Sequence, residues 1–249
     1  MQKILILYFS GAKNTKYVAE CIYSIVMNNY STELKSIEEI TCNYDLSQFD
    51  KIIIGTSTIH SEPPKPMKEF LKAINKSSKK IPAFIYATYG LYPENVLRIL
   101  GMLCLKKNIA PIHYSAYRCS ATDGVLLVPF INFFKHNEKN IEQKIKKDVF
   151  DFLSNFELKT NLPKYKWYAI LNYPNKWIGQ HFRFKIYLHK KYCSKCGKCI
   201  LGCPVKAICK DDLGYPYIDR KQCINCYRCI HNCPFMALSL YKKKRHKKP

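Results

Sequence analysis

Apolar residues along this chain follow two rhythms, and the places where one gives way to the other mark out its elements. Predominantly apolar runs occupy Ile4 to Phe9, Lys51 to Gly55, Ile81 to Ala87 and Ile112 to Tyr117. Short runs of this kind between polar loops predict strands buried on both faces. Between them, apolar positions recur every three or four residues: Val18, Ile22 and Ile25; Met67, Phe70, Leu71 and Ile74, entered through Pro63, Pro64 and Pro66; Val96, Ile99, Leu100 and Leu103 within Pro93 to Lys107. A last such series, Ile141, Ile145, Val149, Phe152 and Phe156, lies within Asn137 to Phe156. These predict amphipathic helices with one buried face. A weaker strand is expected at Leu34 to Ile37. Strand alternating with helix implies an α/β domain, a doubly wound parallel sheet covered on both sides, whose ligands sit at the carboxyl ends of its strands.

After residue 158 both rhythms stop. Residues 159–188 carry Pro163, Pro174 and several aromatics, Trp167 and Trp177 among them. A flexible linker is rich in Gly and Ser, so this aromatic stretch is expected to pack on both neighbours and fix their spacing. The chain thus divides into a first domain at 1–158, a connector at 159–188, a small cysteine-rich domain at 189–241 and a basic tail at 242–249.

The cysteines of the small domain form two matching runs, CSKCGKCILGCP and CINCYRCIHNCP. Ligand-spaced thiols stand at Cys193, Cys196, Cys199 and Cys203, and again at Cys223, Cys226, Cys229 and Cys233, closed by Pro204 and Pro234. Zinc sites also use paired cysteines but normally stop at four ligands, without the third cysteine and the Cys-Pro. A disulfide framework calls for a secreted chain with an even count, whereas this one has 13 cysteines and an apolar N-terminal run too short for a signal peptide. The spacing is that of a two-cluster bacterial ferredoxin, in which each run holds a four-iron four-sulfur cube and lends its fourth cysteine to the other. The resemblance assigns Cys193, Cys196, Cys199 and Cys233 to one cluster and Cys223, Cys226, Cys229 and Cys203 to the second. Ile200 and Ile230, Ala207 and Ala237, and Ile208 and Leu238 repeat in register and are expected to pack around the cubes. Gly214 to Ile218, with Tyr215 and Tyr217, is expected to form a hairpin or loop between the halves that keeps water from them. Cys21, Cys42, Cys104, Cys119 and Cys209 lack ligand spacing and are expected to be reduced thiols.

In the first domain the loop Ser10-Gly11-Ala12-Lys13-Asn14-Thr15 passes directly from a strand to a helix, whose free amides and positive dipole end attract an anion. It is similar to the phosphate-binding loop of flavodoxins, Ser/Thr-x-Thr-Gly-x-Thr. Ser10, Asn14 and Thr15 fit, while Ala12 replaces the usual threonine and Lys13 the usual glycine. The resemblance implies bound FMN, with Thr58, Ile59 and His60, following Thr56 and Ser57, in the first loop beside the flavin ring and Thr88, Tyr89 and Gly90 in the second. Tyr89 is the aromatic expected to stack on the ring. Taken whole, the chain resembles the fused flavodoxin-ferredoxin proteins of anaerobic bacteria, a flavodoxin-like doubly wound sheet followed by a small α+β two-cluster ferredoxin domain.

Composition adds a strong field. Lys and Arg number 41 against 18 Asp and Glu, a formal charge of +23, of which two oxidised clusters with their thiolates would cancel only roughly four. Such a surface is suited to acidic redox partner proteins. Nucleic acid is not expected, because no helix-turn-helix, zinc-finger or aromatic RNA motif accompanies the basic tail KKKRHKK. No stretch approaches a membrane span, and a cytoplasmic location is expected. The resemblance implies an electron carrier relaying between two four-iron clusters and FMN, with no catalytic residue. Two other readings stand beside it: a flavin-dependent reductase of a small molecule fed by its own clusters, and a flavin-free ferredoxin carried by a docking domain.

Overall fold

The computed structural model describes residues 1–127, 131–132, 135–155, 157–172 and 184–243. Five parallel strands form the central sheet: β1 (Lys3–Phe9), β2 (Ser31–Ser36), β3 (Lys51–Ser57), β4 (Ile81–Tyr89) and β5 (Ile109–Arg118), in the order β2-β1-β3-β4-β5. That order is the flavodoxin-like one, with its switch point between β1 and β3. Side chains alternate across β1 as a strand requires. Leu5, Leu7 and Phe9 point into a core shared with α2 (Lys65–Ala73) and α3 (Val96–Leu105), and Ile4, Ile6 and Tyr8 into the opposite core with α1 (Asn14–Val26) and α5 (Ile141–Ser154). A further short helix, α4 (Thr122–Leu127), follows β5 and has no counterpart among the expected elements.

The edge strand β2 begins at Ser31 rather than Leu34, and Ile37 instead opens a 3-10 turn. Thr88 and Tyr89, expected in a loop, are the last two residues of β4. Pro93 to Asn95 precede α3 rather than starting it, consistent with the missing N–H of proline. In α1 the buried position is Val26, with Ile25 half-buried.

Two interior contacts set the first βα loop. Gly55 leaves room for the Tyr86 ring, into which a Cβ at this position would run. The Tyr86 hydroxyl, buried in that space, donates to the Thr15 carbonyl at 3.2 Å. At the far end, the buried Lys51 extends its ammonium to the carbonyls of Phe152 (3.2 Å) and Leu153 (3.1 Å), closing the C-terminus of α5 with positive charge.

The first half of the connector lies on the sheet domain. Leu162 packs into the core beneath Gly101, the Asn161 N–H donates to the Pro111 carbonyl at 2.7 Å, and Asn95 exchanges two hydrogen bonds with the Lys166 backbone. Pro174, Trp177, Phe156 and the tail from residue 244 lie outside the described residues.

In the cysteine-rich part, the hairpin expected near Gly214 is formed by β7 (Ile208–Lys210) and β8 (Pro216–Ile218), with Gly214 at φ 78° in the turn. The two ends of the cysteine-rich part meet in the antiparallel pair β6 (Tyr187–Leu188) and β9 (Leu238–Ser239). His189 reinforces that pair, donating its N–H to the Ala237 carbonyl and bonding through Nε2 to the Ser239 hydroxyl, both at 2.8 Å. Among the described residues no helix is long and apolar enough to cross a membrane.

Candidate functional site

The carboxyl ends of β1, β3, β4 and β5 open onto one cleft. It is lined by Ser10, Gly11, Ala12, Asn14 and Thr15 from the first loop, Thr58, Ile59 and His60 from the second, and Thr88, Tyr89 and Gly90 from the third. Lys13 is the exception among the expected residues. It takes φ 73°, the left-handed conformation that glycine adopts without strain, so the loop keeps its shape despite the substitution. Its side chain lies outside the cleft, in a groove with Lys198, Leu201 and His231 of the cysteine-rich domain. A second tight turn shapes the other rim. Ile59 and Glu62 exchange backbone hydrogen bonds of 3.0 and 3.2 Å, with His60 and Ser61 both at positive φ between them, as in a type I′ hairpin turn. Lys68 holds Glu62 at 2.9 Å.

The cleft suits an anionic, hydroxyl-rich group. The hydroxyls of Ser10, Ser57 and Thr58 are buried and without hydrogen-bond partners among the described residues, an arrangement that costs free energy unless a ligand completes it. Among the described residues the α1 N-terminus has no side-chain cap, leaving its amides available, and no acidic side chain lines the cleft. Thr15 and Thr88 share a 2.8 Å hydrogen bond across the floor. The phenol of Tyr89 is held above its ordinary pKa, chiefly by burial, so it stays a neutral ring.

Two contributions were not expected from sequence. Ser120, Ala121 and Thr122 line the cleft, and Asn14 donates to the Ser120 carbonyl at 2.9 Å. They follow β5 at the same sheet edge as the other loops, and the strand-end rule would have pointed to them. Phe184, Asn225, Cys226 and Tyr227 supply a wall from the cysteine-rich part, for which no local signal exists.

The eight ligand-spaced thiols fall into two sets. Cys193, Cys196, Cys199 and Cys233 line a cavity floored by Ile200, Pro216, Pro234, Ala237 and Leu238. Cys203 lies within electrostatic reach of Cys226 and Cys229. Cys233 thus lines a cavity with the three cysteines of the first run, and Cys203 lies near Cys226 and Cys229 of the second. Equivalent backbone amides point at these exchanged thiols, Ala207 N–H to Cys203 Sγ and Ala237 N–H to Cys233 Sγ, both at 3.2 Å. Burial pushes the Cys226 thiol up to about 11 and Cys229 well above its ordinary value, so both reward a cationic centre that deprotonates them. Among the described residues no three His, Cys, Asp or Glu side chains converge on one point as they do around a single ion. Four cysteines ringing a cavity is instead the disposition that a four-iron cube, with one thiolate per iron, requires.

The two parts are clamped together by Arg228. Its guanidinium forks onto both carboxylate oxygens of Glu38 at 2.7 Å, donates to the Ser10 carbonyl at 2.7 Å and reaches the Gly202 carbonyl at 3.3 Å. It also lies 5.4 Å from the centre of the Phe9 ring. Burial opposes the charge, but the Glu38 hydrogen bonds outweigh it and hold the pKa above the ordinary arginine value. Beside this clamp Gly11 touches Cys226 so closely that a Cβ would come within 2.9 Å of its carbonyl oxygen.

Fold and site thus define a nucleotide-type α/β domain closed by a cysteine-rich domain built for iron-sulfur chemistry. Residues 5–100 match the flavodoxin domain family, and residues 216–239, spanning the second cysteine run, match the 4Fe-4S binding domain family. The chain is a fusion of a flavodoxin-like domain with a ferredoxin-type domain holding at least one 4Fe-4S cluster, and its role lies in electron transfer. Solved structures similar to it include oxidised flavodoxin 1 of Bacillus cereus (17% identity, TM-score 0.48, covering 63% of this chain and 100% of that one). Another is the Fusobacterium nucleatum flavodoxin bound to flavin mononucleotide (14% identity, TM-score 0.44, 63% and 100% covered). A comparison with curated proteins returns no match.

Proposed function

We propose that the protein is an electron carrier with FMN in the cleft and two four-iron clusters in the cysteine-rich domain, the cofactors exchanging electrons within one chain. The observation that supports this most directly is the shared wall: Cys226, a cluster ligand by its spacing, also lines the cleft and touches Gly11 of the anion loop. The cubes would move single electrons and the flavin one or two, while the protein sets their potentials. For its part, the chain places the α1 amides and the Ser10, Ser57 and Thr58 hydroxyls for a phosphate and a polyhydroxylated tail. It aims amides at the thiols of Cys203 and Cys233.

Protein purified without oxygen is expected to contain about eight iron per chain and about one FMN. Full iron with no flavin, even after incubation with FMN, would leave a ferredoxin with a docking domain. The basic surface, with Lys195, Lys198 and the exposed Leu201 around the cavity of Cys193, Cys196, Cys199 and Cys233, is suited to an acidic redox partner. Electron transfer to such a partner is expected to slow as ionic strength rises, whereas a salt-independent rate would remove the basic surface from the account.

A further inference from the structure

The wall that the cysteine-rich domain adds to the cleft contains a polar group with unfinished chemistry. Asn225 sits between Cys223 and Cys226 at φ 51°, a left-handed conformation that asparagine tolerates better than most residues. Its side chain is sequestered, the residue being 7% exposed. Nδ2 donates to the Phe184 carbonyl at 2.9 Å. That bond settles which way the amide is turned, because a carbonyl can receive only from the NH2 end. Oδ1 is therefore the remaining end, and among the described residues it has no hydrogen-bond partner. A purely structural asparagine in this turn would be expected to have both ends satisfied. This one lines the cleft together with Phe184, Cys226 and Tyr227, facing the loops that carry the unpartnered hydroxyls of Ser10, Ser57 and Thr58.

Oδ1 is an acceptor and nothing else, which restricts what can complete it. A phosphate at the α1 N-terminus offers no donor, whereas a flavin mononucleotide carries a ring N–H and ribityl hydroxyls. We propose that Asn225 is a flavin-binding residue supplied by the cysteine-rich domain, its side-chain carbonyl accepting a hydrogen bond from a ring N–H or ribityl hydroxyl of FMN in the cleft. The site is then composite, finished only when Arg228 holds the two domains together through Ser10 and Glu38. The inference rests on the reading of the cleft as an FMN site.

Asn225→Gly tests it, since glycine suits the positive φ and removes the side chain without backbone strain. The full chain is loaded with iron-sulfur clusters under anaerobic conditions, freed of flavin and titrated with FMN by fluorescence quenching, with inorganic phosphate as a competing probe of the anion loop. The variant is expected to bind FMN about tenfold more weakly, the effect of one hydrogen bond to a buried acceptor. Iron content and the phosphate competition constant should match those of the parent. An FMN affinity equal to the parent's overturns the assignment of Asn225 alone. A fall in phosphate affinity by the same factor also overturns it, showing a collapsed cleft in place of a lost contact. A parent chain that binds no FMN overturns both this inference and the reading beneath it.

Discussion

Replacing Cys203 with alanine is expected to empty the cluster of the other cysteine run. Iron should fall from about eight to about four per chain, the loss of one four-iron cube. Cys203 belongs by sequence to the run beginning at Cys193, yet its thiol stands with Cys226 and Cys229, and Cys233 takes the complementary place beside Cys193, Cys196 and Cys199. The buried Cys226 and Cys229 thiols would then face the interior without a centre to deprotonate them, and a domain of this size depends on its clusters to fold. A loss of thermal stability should therefore accompany the loss of iron. Cys209→Ala is the control, because that exposed thiol lies outside both sets. Retention of full iron in Cys203→Ala, counted alongside the cluster spectra, would show that the exchange between runs does not occur.

Arg228→Ala is expected to loosen the docking of the two domains while leaving both cysteine sets intact. The substitution removes a bidentate pair with Glu38 and a charged hydrogen bond to the Ser10 carbonyl. Charged hydrogen bonds of this kind contribute about 1.5–3 kcal/mol each when shielded. Shielding here is uneven, for the arginine side chain is 14% exposed and Glu38 is 38% exposed and remains solvated when its partner goes. A net cost on the order of 2 kcal/mol raises the undocked population roughly thirtyfold. Hydrogen exchange should report it as lost protection in peptides covering residues 8–14 and 223–230, with iron content unchanged. Equal protection in the two proteins would mean that Gly11 against Cys226 and the apolar contacts of Ile224 and Leu126 hold the interface by themselves.

Much of this arrangement was legible before any coordinates. Strands buried on both faces announce themselves as predominantly apolar runs, and β1, β3 and β4 begin within a residue of where those runs begin. The amphipathic periods likewise place α1, α2, α3 and α5. The loops at the carboxyl edge followed from the alternation of strand and helix together with the likeness to flavodoxins. Less visible was whatever depends on the far end of the chain. Ile37 reads as a strand residue, yet it opens the turn that presents Glu38 to an arginine 190 residues away. Lys13 occupies an anion loop by sequence, but its left-handed backbone and the neighbouring domain carry the side chain into a different groove. Asn225 was hidden among cysteines whose spacing accounts for the loop without it. The short helix α4 lacks a full amphipathic period and is read from structure alone.

The pairing of β6 with β9 brings the entry and exit of the cysteine-rich domain side by side. A unit whose two ends adjoin can be grafted into a loop of another protein, or lifted out of it, without opening its interior. The same geometry makes the cysteine-rich domain a transferable cassette. An engineer wishing to furnish a different nucleotide-binding sheet with iron-sulfur wiring would need to supply a matching acidic residue for Arg228, a glycine where the cassette's cysteine loop comes to rest and apolar partners for Ile224 and Tyr227.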